Sequence, residues 1–537
     1  MADALPLPVS RVFDVAIVGA GLCGLALARL LTGRGLEVQV IEARERLGGR
    51  VYTEHCEFTG QALDLGPTWF WSETEPRIAT LLTELGLASQ AQHDPGDALW
   101  LTDPNREPDR RIEPGGLHVG ARRIEGGAAR LVDALAATLP SGSIRTGVAL
   151  QALRDRGAFI ELLPSTGHPI RARQVVLALP ARLVHEKIQF DPPLPTSVWE
   201  ALAATPTWMA ARAKSVTTFA QPFWRTAGHS GNAFVRHAQA VLGEVFDASE
   251  GKAGALGGFV ALNAAQRANF KRGLPLLIDS QLTQLFGPQT QDGHPFLQDW
   301  ATEPWSCSAL DRASPPEPPL SDPLLRQPLW AGRVFLGGSE TAAHGAGHME
   351  GALESADRIA HAVCRPNAKV RSAPAQDGIR DTRSTAIGTF AASVLALRGM
   401  APERYRLHLT RLLSGQQFEQ LTQRALLATA DQVYSEALAH LDHLLPALDA
   451  ASAEVASGRH ALTAVLLAPF EGWNKGLLDA ALSFNCTSCA LSSFSREHRP
   501  DGETLRAITL DLAAAWREFA LELNTRLLVA SGSAEIV

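Results

Sequence analysis

Apolar residues follow two regimes along this chain: short continuous runs in the first two thirds, then recurrences at helical spacing. Phe13-Asp-Val-Ala-Ile-Val18 is a nearly unbroken apolar run, which predicts a strand buried on both faces. Leu22 to Leu31 carries apolar residues at helical spacing, and Glu37 to Ile41 reads as a second strand ending at Glu42. Further strands are expected at Gln174-Val-Val-Leu-Ala-Leu-Pro180 and Arg333-Val-Phe-Leu-Gly337. Trp-rich segments of mixed periodicity fill the interval from about 200 to 305, and Pro and Ser mark 312–323 as a surface loop.

Beyond Val363 the pattern changes. Residues 367–382 are polar and loop-like. The Ala- and Leu-rich remainder has apolar residues at i, i+3, i+4 and i+7 over Arg404–Leu413, Phe418–Ala451 and Thr504–Val529. Five or more helices in a separate domain are expected, with no internal repeat.

Composition narrows the class. A chain of 537 residues exceeds one ordinary core, so two or three domains are expected. The net charge of -7 argues against a nucleic-acid partner, which favours basic surfaces. Six scattered cysteines form no disulfide framework, which points to a reducing cytoplasmic home. The first ten residues lack a basic segment and an apolar core, so no signal peptide is read. Leu462 to Phe470 is about half the ~20 residues a membrane span needs, so no membrane association is expected.

The chemistry begins at Gly19-Ala-Gly21-Leu-Cys-Gly24, set between the first strand and the first helix. Gly19 allows a tight turn, Gly21 lets a pyrophosphate approach the backbone, and Gly24 lets helix pack on strand. The helix N-terminus then presents N–H donors and its positive dipole end to the phosphates. Glu42, closing the second strand, is placed to accept hydrogen bonds from ribose hydroxyls. A glycine turn without a ligand is the bland alternative, weakened by the intact strand–turn–helix–strand context.

The continuation Glu42-Ala43-Arg44-Glu-Arg46-Leu-Gly48-Gly49-Arg50 resembles the signature of the flavin-containing amine oxidase family. The resemblance extends in order through Leu63-Asp64-Leu-Gly66-Pro67-Thr68-Trp69, Glu125-Gly126-Gly127, Val148 and Ala178-Leu-Pro180. It closes with Gly337-Gly338-Ser-Glu340-Thr341 and Gly347-His348-Met349-Glu350-Gly351-Ala352. It covers about residues 10 to 365.

The resemblance implies an α/β fold: a Rossmann-type FAD-binding domain and an α+β substrate domain, followed here by the all-α domain. It assigns 10–85, 120–198 and 305–366 to FAD binding and 86–119 and 199–304 to the substrate domain, leaving 367–382 as linker and 383–537 helical. The cofactor set it implies is Gly19, Gly21, Gly24, Glu42, Ala43, Arg44, Gly49, Arg50, Gly66, Pro67, Thr68, Trp69, Val148, Trp305, Gly338, Glu340, Gly347 and Met349. Val148 would meet the adenine, Glu340 the ribityl or pyrophosphate groups, and the helix from Met349 would aim its N-terminus at the flavin's N1–C2=O edge. Lys214, nine residues before Phe223-Trp224, matches the family lysine that holds a water near flavin N5. An ordinary solvated lysine is its alternative.

The chain departs from the family at the substrate wall. The two aromatic cage positions fall on Leu310 and His348, and neither is Tyr, Phe or Trp. His348 can stack, donate a hydrogen bond or act as a base; Leu310 would widen the pocket, with Trp69 and Trp208 as further lining. Ala309 stands where some members carry the cysteine that bonds to FAD, and Cys307 is two positions early, so non-covalent FAD is expected.

Cys486-Thr-Ser-Cys489 has no second pair, and Glu436, His440 and His443 read as a polar helix face, so no metal is expected. The helical domain reads as an interaction, oligomerisation or lid module, with a homo-oligomer as one outcome. The leading functional reading is a FAD-dependent oxidase acting on a small amine, with O2 as acceptor and H2O2 as product. Two alternatives stay open: a flavin-dependent desaturase or dehydrogenase on a non-amine, and a non-catalytic flavoprotein that binds a partner through its helical domain.

Overall fold

The computed structural model describes residues 11–112, 116–270, 272–313, 321–364, 382–414, 419–448, 455–456, 459–488, 491, 495–498 and 500–531. The chain divides into two compact units, Met1–Asn367 and Ala368–Val537.

The first unit is built on an eight-stranded sheet. Strand β1 (Val12–Val18) leads into helix α1 (Leu22–Thr32), and β2 (Val38–Ile41) returns parallel beside β1, with Val15 opposite Val38 and Val18 opposite Ile41. On the other side of β1 lies β3 (Ile170–Leu177), also parallel, and β4 (Val334–Leu336) pairs with β3. The unbroken apolar run Val15–Val18 of β1 follows from burial on both faces. Val15 and Ile17 enter the core that α1 covers; Ala16 and Val18 enter the core on the other face. Helix α2 (Met349–Val363) packs on the α1 side through Ala352, Leu353, Ala356 and Ile359. The ends of β1, β2, β3 and β4 and the starts of α1 and α2 therefore converge on one region.

A second, seven-stranded sheet runs through five strands between Ala213 and Asp299, then Asp97–Leu101, and ends in Asp109–Arg111. Its strand Ala213–Phe219 lies between two antiparallel neighbours, with Lys214 opposite Phe259 on one side and Gln298 on the other. All seven residues of that strand are buried.

In the second unit the described residues form long helices α3 (Thr382–Ser414), α4 (Leu421–Leu448), α5 (Trp473–Thr487) and α6 (Gly502–Ala530), with shorter pieces between them. The apolar spacing marks only Arg404–Leu413 of α3; the structure begins the helix at Thr382 and carries it through Pro402, a helix breaker by local rules. The core gathers Tyr434, Phe470, Trp473 and Phe519, with Tyr434 and Phe519 stacked at 4.4 Å. Glu436 spends its carboxylate on Arg404 and Gln432. Among the described residues no group of three or more His, Cys, Asp or Glu gathers as a metal site. Cys489 and nearly all of the expected linker lie outside the described residues. No described helix is long and apolar enough to cross a membrane.

Candidate active site

A cavity of about 340 Å³ runs through the first unit, walled by both sheets and by the starts of α1 and α2. At one end is the turn between β1 and α1. Gly19, at φ +101°, donates its N–H to Ile41 O at 2.7 Å; a Cβ there would lie 2.5 Å from Ala178 O. A Cβ on Gly24 would lie 2.0 Å from Gly19 O, so this glycine exists to let α1 pack on the turn. Gly21 differs. Only Gly48 O, at 3.9 Å, is near its Cβ position, so nothing within the protein demands a glycine there. The space faces the cavity, beside the N-terminus of an eleven-residue helix.

Glu42 closes β2. Its carboxylate accepts the Ala20 N–H at 2.8 Å and the Arg44 N–H at 3.0 Å, which ties the glycine turn to the second strand. A carboxylate has about four acceptor sites, so capacity remains for a ligand hydroxyl. The Glu42 carbonyl accepts the Val148 N–H at 2.8 Å and sets Val148 against the same wall.

The arginines of the next segment join distant parts of the chain. Arg44 donates to Glu303 at 2.9 Å and to Ser306 at 2.8 Å, and Arg50 makes a two-point pair with Glu340 at 2.6 and 2.9 Å. Glu340 is 0% exposed and does not line the cavity. Its oxygens are occupied by Arg50, Ser339 and the Trp208 N–H, so the expected direct contact with a cofactor is replaced by the positioning of Arg50. A buried carboxylate held by this many donors is a rigid anchor.

At the far end sits Lys214, 3% exposed. Its Nζ donates to Gly66 O at 2.9 Å and to Thr68 Oγ1, with the rings of Phe246 and Phe259 5.4 and 5.7 Å away. Burial pushes its pKa from 10.5 down to about 7, and the nearby Asp64 carboxylate opposes the shift only in part. Gly66, Pro67, Thr68 and Trp69 line the same wall, and the Trp69 indole is fixed by Gln92 at 2.8 Å.

His348 is the N-cap residue of α2 and sits on the cavity wall beside Gly347 and Met349. Its ring lies 6.2 Å from that of Trp208, and its Nδ1 is 3.8 Å from Glu75 Oε1. Its side chain is 44% exposed, so this is an open end of the cavity. Leu310 is a correction. It lies on the short helix Ala309–Ala313, is 41% exposed, and is not part of the cavity wall. Ser308 and Asp311 cap that helix through reciprocal hydrogen bonds, which sets the local chain path and turns Leu310 outward. Among the described cysteines Cys23 alone reaches the cavity, with Sγ accepting the Gly338 N–H at 3.3 Å; Cys307 is buried elsewhere, its pKa pushed up to about 11 by that burial.

Comparison with known proteins gives this geometry its family. The family model described as "Flavin containing amine oxidoreductase" matches residues 22–115 and 109–364. The chain belongs to this family. Curated relatives include amine oxidase [flavin-containing] B from Sus scrofa, 24% identical over 66% of this chain and 87% of the relative. The probable flavin-containing monoamine oxidase A of Dictyostelium discoideum is 23% identical over 66% and 98%. Among solved structures, wild-type putrescine oxidase bound to putrescine aligns with a TM-score of 0.54 at 22% identity, over 66% of this chain and 99% of that one. Cyclohexylamine oxidase from Brevibacterium oxydans IH-35A aligns at 0.56 and 21%, over the same shares. The chain is thus a flavin-dependent oxidoreductase of the amine oxidase type.

The residues present fit the flavin cofactor of this family. The open Cβ direction at Gly21, the spare acceptor capacity of Glu42 and one continuous cavity from α1 to Lys214 match an elongated dinucleotide whose pyrophosphate lies at the glycine turn, between its two nucleotide halves. Every expected cofactor residue except Gly24 and Glu340 lines that cavity, as do Lys214, His348 and Trp208. Sequence reasoning left out Glu75 and Arg212, both on the wall. Arg212 was open to discovery: it lies two residues before Lys214, and alternation along a strand sets both on one face.

Proposed function

We propose that the cavity binds FAD non-covalently and that the protein oxidises an amine at the carbon next to nitrogen. The glycine turn, Glu42 and Val148 would hold FAD, which would supply a two-electron acceptor for the C–H hydride; water would hydrolyse the imine left behind, and O2 would take up the two electrons with two protons as H2O2. The observation that carries this reading is Lys214: a buried lysine, placed on the cavity wall by a central strand, with a pKa near 7. Of the three donors on its ammonium, two are spent on Gly66 O and Thr68. The third is available to hold a water or oxygen species, and near neutral pH the group can give or take a proton there.

Trp208 and His348 stand in for the family's aromatic pair. Their rings flank the open end, with Glu75 behind His348, an arrangement suited to admitting a cationic amine and holding its proton at His348 Nδ1. The seven-stranded sheet, from 86–119 and 199–304, would then form the substrate side, and the glycine turn, Glu42 and Val148 the cofactor side. Among the described residues the one cysteine on the cavity wall is Cys23, buried with its Sγ on the Gly338 N–H, which supports non-covalent attachment.

Two measurements test the proposal. Acid precipitation should leave the yellow colour in the supernatant; colour in the pellet contradicts non-covalent attachment. Amines should yield stoichiometric peroxide and aldehyde or ketone with oxygen uptake. Turnover only with polyenes or other carbon acids would favour a desaturase.

A further inference from the structure

Four cationic side chains on the cavity wall have partners within the protein: Arg44 with Glu303, Arg50 with Glu340, Lys187 with Glu186, and Lys214 with Gly66 O and Thr68. Arg212 lines the same wall, yet its guanidinium meets no carboxylate and no hydrogen-bond acceptor among the described residues. The charged neighbour that acts on it is another cation, Arg267, already engaged in a two-point pair with Asp299. Burial and that neighbour both press on the Arg212 charge. An arginine cannot escape by losing its proton, so five donors and a full charge are presented to whatever fills the cavity.

The position is defined by the strand. The Arg212 carbonyl accepts the Trp300 N–H at 2.9 Å, which continues the ladder from Ala213 and Asp299. Arg212 and Lys214 are therefore successive residues on one face, with Cα atoms about 7 Å apart at ~3.3 Å per residue. The flavin phosphates have their own site at the Gly19–Gly21 turn and the start of α1, on the other sheet. The guanidinium beside Lys214 answers a second anion.

Resting on the amine-oxidase reading above, we propose that Arg212 is a specificity residue that binds a carboxylate on the substrate, so that the substrate is an amino acid and not a simple amine. The planar fork matches a carboxylate with two parallel hydrogen bonds. A substrate with its reacting C–H toward Lys214 and its carboxylate on Arg212 neutralises the one cationic side chain on the wall that the described protein leaves uncompensated.

The test uses the yellow holoenzyme and matched pairs: an amino acid and the amine left when its carboxyl group is removed. The amino acid of the productive pair should have the higher kcat/KM. Arg212→Met should lower that value about 10- to 100-fold more than it lowers the value for the amine, the range of a charge-assisted hydrogen-bonded pair. Arg212→Lys should recover part of the loss. Benzoate, a carboxylate that cannot be oxidised, should perturb the flavin spectrum of the wild type and not of Arg212→Met. Equal losses for both members of each pair, loss of the flavin itself in Arg212→Met, or no response to benzoate would overturn the assignment. Should no pair yield peroxide, the oxidase reading falls, while the benzoate titration still decides the carboxylate site.

Discussion

Replacing Lys214 with Met should stabilise the protein at neutral pH, and the gain should vanish in alkali. Met keeps the length of the side chain and removes the buried charge. In the unfolded chain the lysine titrates near 10.5, whereas burial holds it at about 7 in the folded state. Below pH 7 both states carry the proton, and the folded protein bears the full cost of the buried ammonium. Between pH 7 and 10.5 the unfolded state binds the proton more readily, so wild-type stability rises with pH, at up to about 1.4 kcal/mol per unit. Above 10.5 the difference is gone. The fall from 10.5 to about 7 corresponds to about 5 kcal/mol. Against this stand the hydrogen bonds to Gly66 O and Thr68, each worth about 1 kcal/mol. Lys214→Met should therefore gain a few kcal/mol at pH 7 and lose about 2 kcal/mol near pH 10.5, with the curves crossing between. Urea denaturation of both proteins at matched flavin content, from pH 6.5 to 10.5, measures this. Parallel curves, or a variant less stable at pH 7, would refute the buried-charge argument.

Further outcomes follow from the same geometry. Gly21→Ala should leave apoprotein stability close to wild type while weakening FAD binding at least tenfold, because its Cβ meets only the cavity; Gly24→Ala should destabilise the fold itself, its Cβ lying 2.0 Å from Gly19 O. Flavin titration and thermal melts separate the two. Glu340→Gln removes the charge that holds Arg50 and should cost about 3–5 kcal/mol, with reduced flavin content, as expected when one member of a buried ion pair is lost; urea midpoints and absorbance ratios report it. Reoxidation of reduced enzyme by O2 should change rate with an apparent pKa near 7, and that inflection should disappear in Lys214→Met.

The parallel sheet was legible because its central strands are buried on both faces, which forces unbroken apolar runs at Val15–Val18 and Val175–Leu177. The glycine turn was legible because its spacing records steric demands that no other residue meets at Gly19 and Gly24. Glu340 was read as a cofactor contact, and sequence could not reveal that Arg50, 290 residues away, takes up its carboxylate. Leu310 turned outward because a local cap, Ser308 with Asp311, dictates the chain path there. Arg212 and Glu75 carry no motif. Their meaning depends on which partners are absent or present around them, and that is a property of packing. Helix α3 ran through Pro402 because its buried face, from Phe390 and Val394 to Tyr405 and Leu409, is worth more than the lost hydrogen bond.

The most direct test of the account is anaerobic. The purified yellow protein is mixed, without oxygen, with an amine or amino acid and with the same compound deuterated at the carbon next to nitrogen. The account predicts that the flavin band bleaches, several-fold more slowly for the deuterated compound, and that peroxide appears when air is admitted. A flavin that stays oxidised with every amine, or bleaching at the same rate for both isotopologues, would contradict it.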